Sequence, residues 1–181
     1  MKYFLVCFMC VFCTNFTFGQ VRKTKWGMNQ REVAASESIK PSLNDDEGLA
    51  YVVDLSGYKT FLFYVFNSEG KLSNVSYSLY EKFASENSYL TAYLSLISKL
   101  KEKYGEGEPD IIWTDDLYRD DKQKWGIAIA AEHLKIKHTW ETEDTSIVAE
   151  ISGKNFKIDV SIRYSSKAVK YNRKTNDLDN F

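Results

Sequence analysis

The chain has 181 residues, with 24 basic and 25 acidic side chains and a formal net charge of −1 at pH 7. This balance gives no general attraction to nucleic acid, whose binding domains carry a strongly basic face, so we expect no nucleic-acid partner. Removal of an N-terminal leader would leave about 160 residues, enough for one domain with its own core.

The first 19 residues have the three parts of a secretory signal peptide. Lys2 supplies the charge, residues 3–13 are an unbroken apolar run, and Thr17-Phe18-Gly19 is a small-x-small cleavage motif. The apolar run is shorter than the roughly 20 residues that span a bilayer. We therefore expect an exported protein, periplasmic or extracellular, with no transmembrane segment in the mature chain. The alternative is a buried core strand or helix.

All three cysteines, Cys7, Cys10 and Cys13, lie within this leader. The mature chain then has no disulfide, no thiol nucleophile and no thiolate metal ligand. Large residues precede Cys10 and Cys13, where a lipid-anchored bacterial protein has a small residue, so the sequence disfavours lipidation.

The first helix is predicted from the residues at its start. Asn29 and Glu32 have the spacing of a capping box, and Met28 and Val33 can form a hydrophobic staple around it. The helix should end near residue 38, because Pro41 disfavours helical geometry in the residue before it.

Three strands are predicted next, at residues 49–54, 58–66 and 72–80. The last two are joined by a turn at 67–70 and form a hairpin. A second helix follows at residues 86–104, with Ser85 as its cap and Gly105 as its stop. Its apolar stripe has helical spacing and consists of Leu90, Tyr93, Leu94, Ile97, Leu100 and Tyr104.

Residues 105–124 are predicted to be a loop, interrupted by the apolar triplet 111–113. Three strands with alternating polarity follow, at residues 134–140, 147–151 and 156–164, typical of a half-buried antiparallel sheet. The core-facing set in the last strand is expected to begin at Phe156. Residues 20–166 therefore form one domain, and residues 167–181 are expected to be a flexible polar tail.

The order of these elements predicts an α+β fold. We expect an antiparallel sheet built from two αβββ units, with the helices packed on one face and the other face open.

Side chains suited to catalysis occur without the partners that catalysis requires. His133 and His138 have an odd spacing, which directs them to opposite faces of one strand. His138 lies between apolar residues and is expected to be structural. The acidic loop 115–121 could offer oxygen ligands to calcium, but it lacks the EF-hand spacing and is expected to be solvated. We assign no catalytic residue, no metal site and no cofactor.

Four tryptophans are expected to pack where loops close over the sheet. Two of them occur in Trp-Gly pairs, at Trp26 and Trp125. The alternative is that they stack against a carbohydrate.

The predicted interaction surface lies on the strand at residues 58–66. In this prediction Leu62, Tyr64 and Phe66 face outward, near Tyr80 of the neighbouring strand, and Phe61, Phe63 and Val65 face the helices. Apolar residues on an open sheet face often mark an interaction site. The alternative is that another segment of the chain covers them.

Two short motifs resemble those of small exported bacterial proteins of unknown role. The first is Lys25-Trp26-Gly27-Met28 followed by Glu32-Val33, and the second is residues 96–109 with Trp113 soon after. The order of helices and strands is similar to that of β-lactamase-inhibitor-like domains and of small lipoproteins of outer-membrane barrel assembly. The resemblance implies a non-catalytic binding module of a bacterial envelope, with another envelope or extracellular protein as its partner.

Three functions follow from the sequence. The preferred one is a binding or scaffold domain that acts through an exposed sheet face. The alternatives are a module that binds a small molecule or glycan, and a hydrolase that uses His138 or the acidic loop.

Overall fold

A computed structural model describes residues 20–45 and 48–172 of the chain. The predicted signal peptide at 1–19 and the end of the predicted tail lie outside the described residues. The fold is α+β, with an eight-stranded antiparallel sheet and three helices. The predicted α+β class with an antiparallel sheet is therefore confirmed, whereas the predicted division into two αβββ units is not.

The described residues form a main sheet, a small hairpin and three α-helices. The helices are α1 (Gln30–Ser36), α2 (Glu86–Tyr104) and α3 (Trp125–Ala130). The small hairpin consists of β1 (Gln20–Val21) and β2 (Thr24–Lys25). The main sheet consists of β3 (Leu43–Asp45), β4 (Gly48–Leu55), β5 (Tyr58–Phe66), β6 (Leu72–Leu79), β7 (Glu108–Trp113), β8 (Leu134–Glu141), β9 (Thr145–Lys154) and β10 (Lys157–Ser166).

The sheet has the strand order β3-β4-β5-β6-β10-β9-β8-β7. Each half of the chain forms a four-stranded meander, and the two halves meet where β6 pairs with β10. The prediction of three strands in each half missed both edge strands, β3 and β7, and also α3. β7 lies in the segment predicted to be a loop, because its acidic residues and Pro109 conceal the strand pattern.

Helix boundaries agree with the sequence signals at both helix α1 and helix α2. The Asn29 side chain accepts a hydrogen bond from the Glu32 N–H at 3.0 Å, and the Glu32 carboxylate accepts one from the Asn29 N–H at 2.8 Å. Helix α2 ends at Tyr104, and the positive φ of 81° at the next residue, Gly105, agrees with the predicted glycine stop. Its buried face includes Leu96, whereas Leu94 of the predicted stripe is half exposed.

The core lies between the helices and one face of the sheet. The predicted inward residues of β8 and β9 are buried, among them Leu134, Ile136, Ile147 and Ile151. Phe156 differs from the prediction, because it lies in the turn between β9 and β10 and is 82% exposed.

The described part of the predicted flexible tail, residues 167–172, runs along the end of the sheet. The Lys167 ammonium is 2.8 Å from the Glu141 carboxylate, and the Ser68 N–H donates to the Asn172 side chain at 3.1 Å. The flexibility of the whole tail stays a prediction. Within the described residues, no helix has both the length and the apolar character needed to cross a bilayer.

Candidate interaction surface

Strand β5 faces the core with the opposite set of side chains from the predicted one. Leu62 and Tyr64 are fully buried. The register explains this, because Leu62 lies opposite the core residue Tyr77 of β6. Phe61 and Phe63, which alternate with them, therefore lie on the open face. The prediction that Leu62 and Tyr64 face outward is wrong.

The other two predicted surface residues have different positions. Phe66 is half-buried and packs against the core, next to a register shift between Val65 and Phe66. Tyr80 is 50% exposed, in agreement with the prediction. Of the four predicted surface residues, only Tyr80 therefore lies on the open surface.

A contiguous apolar group occupies the β4–β6 side of the open face. We call it the aromatic patch, and it consists of Val52, Phe61, Phe63 and Tyr80. The Phe61 ring centroid lies 4.4 Å from that of Tyr80 and 5.8 Å from that of Phe63. Val52 lies directly opposite Phe61 and is 44% exposed.

The character of the open face changes across the sheet. Serines occupy much of its centre, on β6, β10 and β9, together with the exposed charged side chains of Asp159 and Arg163. Ion pairs occupy the β7–β8 side, where Lys137 lies 3.1 Å from Asp110. The face is therefore apolar at one side, polar in the middle, and lined by ion pairs at the other side.

A polar cluster lies on the opposite, helix-facing side. The Arg22 guanidinium donates to both Glu37 oxygens, at 2.9 and 3.1 Å, and the Glu37 side chain is only 3% exposed. The Tyr64 hydroxyl also donates to Glu37. Burial and the Glu37 carboxylate raise the pKa of Tyr64 above its ordinary value. This phenol is therefore protonated at neutral pH and can donate its proton to the Glu37 carboxylate. Through these contacts the cluster anchors helix α1 and its following residues to the sheet.

His138 is a core residue. It is 9% exposed, and its Nδ1 lies 2.9 Å from the Tyr93 hydroxyl, which also donates to the Ala149 carbonyl at 3.3 Å. Burial, together with the nearby Lys101 charge, lowers the pKa of His138 below its ordinary value of 6.5. The imidazole is therefore neutral at neutral pH and connects α2 to β8 in a structural role.

Three carboxylates of the acidic loop bind groups within the loop or close to it. Asp115 accepts from the Leu117 N–H at 2.8 Å, Asp116 binds Arg119 at 2.9 Å, and Asp121 accepts from the Gln123 N–H at 3.1 Å. No group of three or more potential metal ligands occurs within the described ranges. These contacts organise the turn that connects β7 to α3.

The tryptophans close the edges of the core. The Trp26 indole donates to Thr145 at 2.8 Å, and the Trp140 indole donates to the Gly105 carbonyl at 2.9 Å. Trp113 and Trp125 contact each other edge to face at 5.6 Å, with the Arg119 guanidinium 5.9 Å from the Trp113 ring. An open depression beside them is lined by Ile111, Ile112, Trp113, Thr114, Asp115, Asp116 and Arg119.

Comparison with known proteins found no matching family model, no matching curated protein and no matching solved structure. The resemblance to small envelope proteins therefore stays a prediction.

Three residues of the aromatic patch, Val52, Phe61 and Phe63, were missed by the sequence analysis. The signal that could have found them is the clear alternation of β6, where Val75 and Tyr77 form the apolar face. Pairing the hairpin in register places Leu62 on that same face and turns Phe61 outward.

Proposed function

We propose that this protein is a non-catalytic binding domain that holds a partner protein against the open face of its sheet. The observation that carries the proposal is the aromatic patch, which lies on a sheet face that no described element covers. Aromatic residues are enriched in the buried centres of protein interfaces. The neighbouring serines offer hydrogen-bonding groups, which suit the polar rim of such an interface.

The partner is a protein of the envelope or the extracellular space, the compartments to which the predicted leader would direct the chain. It presents an apolar surface that packs on Phe61 and Tyr80. Such packing centres the binding energy on a few large side chains, as in most protein interfaces.

The test uses the purified protein immobilised on beads and an envelope extract. The double variant Phe61→Ser/Tyr80→Ser removes the centre of the patch, and Val148→Ser makes a similar change on the open face outside it. We expect a partner that the wild type and Val148→Ser retain and the double variant loses, with at least a tenfold rise in Kd for the purified pair. Retention of the same proteins by all three forms, or of none by the wild type, would contradict the proposal.

A further inference from the structure

Strand β7 is an uncovered edge of the main sheet. It comes last in the strand order and pairs only with β8 among the described residues. Ile111 is 49% exposed and Ile112 is 40% exposed, although these two side chains point to opposite faces. Exposed apolar edge strands pair readily with other chains, and most proteins avoid them.

The register shows which backbone groups of β7 point away from the sheet. The Thr114 N–H donates to the His133 carbonyl at 2.9 Å, so the backbone N–H of Thr114 points toward β8. Hydrogen-bonded and non-bonded pairs alternate along an antiparallel ladder. Ile112 and Asp110 therefore bond to β8, and the N–H groups of Ile111 and Trp113 point outward.

Pro109 agrees with this assignment. Its backbone nitrogen points away from β8, like those of Ile111 and Trp113. The N–H that proline lacks therefore removes no hydrogen bond from the ladder with β8. The outward backbone groups of β7 form a template for one more strand, and no described strand occupies it. These groups are the carbonyls of Pro109, Ile111 and Trp113 and the N–H groups of Ile111 and Trp113.

The surroundings of this edge carry a net negative charge. Residues 106–121 contain seven carboxylates and one basic side chain, Arg119. Four of these carboxylates form ion pairs, Glu106 with Lys101, Asp110 with Lys137, Asp116 with Arg119 and Asp121 with Lys124. Glu108 has no ion-pair partner among the described residues. Like charges facing each other across two strands are unfavourable, so this edge disfavours pairing with a second copy of itself. The same charges attract a basic strand.

The two faces of β7 differ and set the pattern of the added strand. Glu108, Asp110 and Ile112 point to the open face, and Ile111 and Trp113 point to the other. A neighbouring strand with basic side chains on the first face and apolar side chains on the second would match both. On the second face, the exposed Ile111 side chain and the partly buried Trp113 ring offer apolar side chains a surface to pack against.

We infer that β7 binds an extended segment of a partner protein, with alternating basic and apolar residues, as a ninth strand of the sheet. This site is separate from the aromatic patch and goes beyond the proposed function. Strand addition of this kind derives affinity from backbone hydrogen bonds and specificity from alternate side chains.

The test titrates the ¹⁵N-labelled protein with a capped eight-residue peptide of alternating lysine and valine. We expect slowed hydrogen exchange of the Ile111 and Trp113 amides, which point outward in the free protein. An otherwise identical peptide of alternating glutamate and valine should not bind under the same conditions.

Ile111→Pro removes the outward N–H and should raise the Kd of the lysine–valine peptide at least tenfold. The matched variant Ile111→Val keeps the N–H and should bind within about twofold of the wild type. The double variant Glu108→Lys/Asp110→Lys provides a second test if the proline variant does not fold. It should lose the lysine peptide and bind the glutamate peptide.

Three results would overturn the inference. The first is the absence of slowed hydrogen exchange at the Ile111 and Trp113 amides. The second is equal binding of the lysine peptide by the wild type and by folded Ile111→Pro or the charge-reversed variant. The third is a peptide footprint on the aromatic patch. The last would support the proposed function while removing the edge site, so the two proposals fail separately.

Discussion

Phe156 occupies the tip of the β9–β10 hairpin in a backbone conformation that favours glycine. Its φ is 57° and that of Asn155 is 51°, the left-handed values of a type I′ turn. Asparagine tolerates this region well, whereas an aromatic residue in this conformation lowers the free energy of unfolding by about 1–2 kcal/mol. The ring is also 82% exposed and so contributes little burial to offset this strain.

Phe156→Gly should therefore increase the free energy of unfolding, measured by urea denaturation. The strain relief exceeds the extra backbone entropy of glycine in the unfolded chain, about 0.4–1 kcal/mol, so we expect a net gain of about 1 kcal/mol. Phe156→Ala is the matched control, because it removes the ring but keeps the Cβ atom that causes the strain. An equal gain in both variants would show that the ring, and not the backbone, is responsible.

His138 should make stability depend on pH below neutrality. Its pKa in the folded protein lies below the ordinary value of 6.5 because burial disfavours the charged ring. As pH falls below about 6.5, the unfolded chain takes up a proton that the folded protein resists, so the free energy of unfolding falls. Above that pH the contribution is complete.

The measurement for His138 is urea denaturation at several pH values between 5.5 and 8. The wild type should lose stability toward the acid end, and His138→Gln should lose less, because glutamine does not titrate and can still bond the Tyr93 hydroxyl. A variant that keeps the full wild-type slope would assign the proton uptake to another group.

At the scale of the element, β5 shows where sequence reasoning reaches its limit. The alternation of β8 and β9 predicted their buried faces, and the cap and stop residues predicted α1 and α2. In β5 six consecutive residues, 61–66, are apolar or aromatic, so either face could be the buried one. The pattern of β5 alone cannot decide between them, and only its register with the alternating strand β6 does so.

Substitutions on the two faces of β5 should therefore differ in cost. Leu62→Ala creates a cavity in the core and should lower the free energy of unfolding by about 2–5 kcal/mol. Phe61→Ala removes a larger side chain from the open face, yet it should cost about 1 kcal/mol or less. Chemical denaturation of both variants checks this order, and a greater loss for Phe61→Ala would restore the face assignment made from the sequence.

Other misses at this scale have a related cause. β7 was predicted to be a loop because Glu108, Pro109 and Asp110 are poor strand formers, and its pairing with β8 overrides their preference. The prediction of the candidate surface depended on strand pairing in the same way. Tyr80 was identified correctly, but the rest of the aromatic patch required the register of the hairpin.

At the scale of the whole molecule, two meanders share one sheet and one core. Tyr77 of β6 and Tyr164 of β10 pack edge to face at 6.3 Å beneath the line where the halves join. The α+β class and the open face could be predicted from the order of the elements. The joining of the halves through β6 and β10 could not, because no local pattern specifies a pairing between distant strands.

That central pairing has a consequence for how the chain reaches its fold. Ser78 and Ser161 are partners across it although they lie about 80 residues apart in sequence, so closing this loop is entropically costly. During synthesis the first meander can form while β10 is still unmade, and β6 is then a temporary edge. The alternate serines of β6 keep one side of that edge polar, which reduces its tendency to pair with another growing chain.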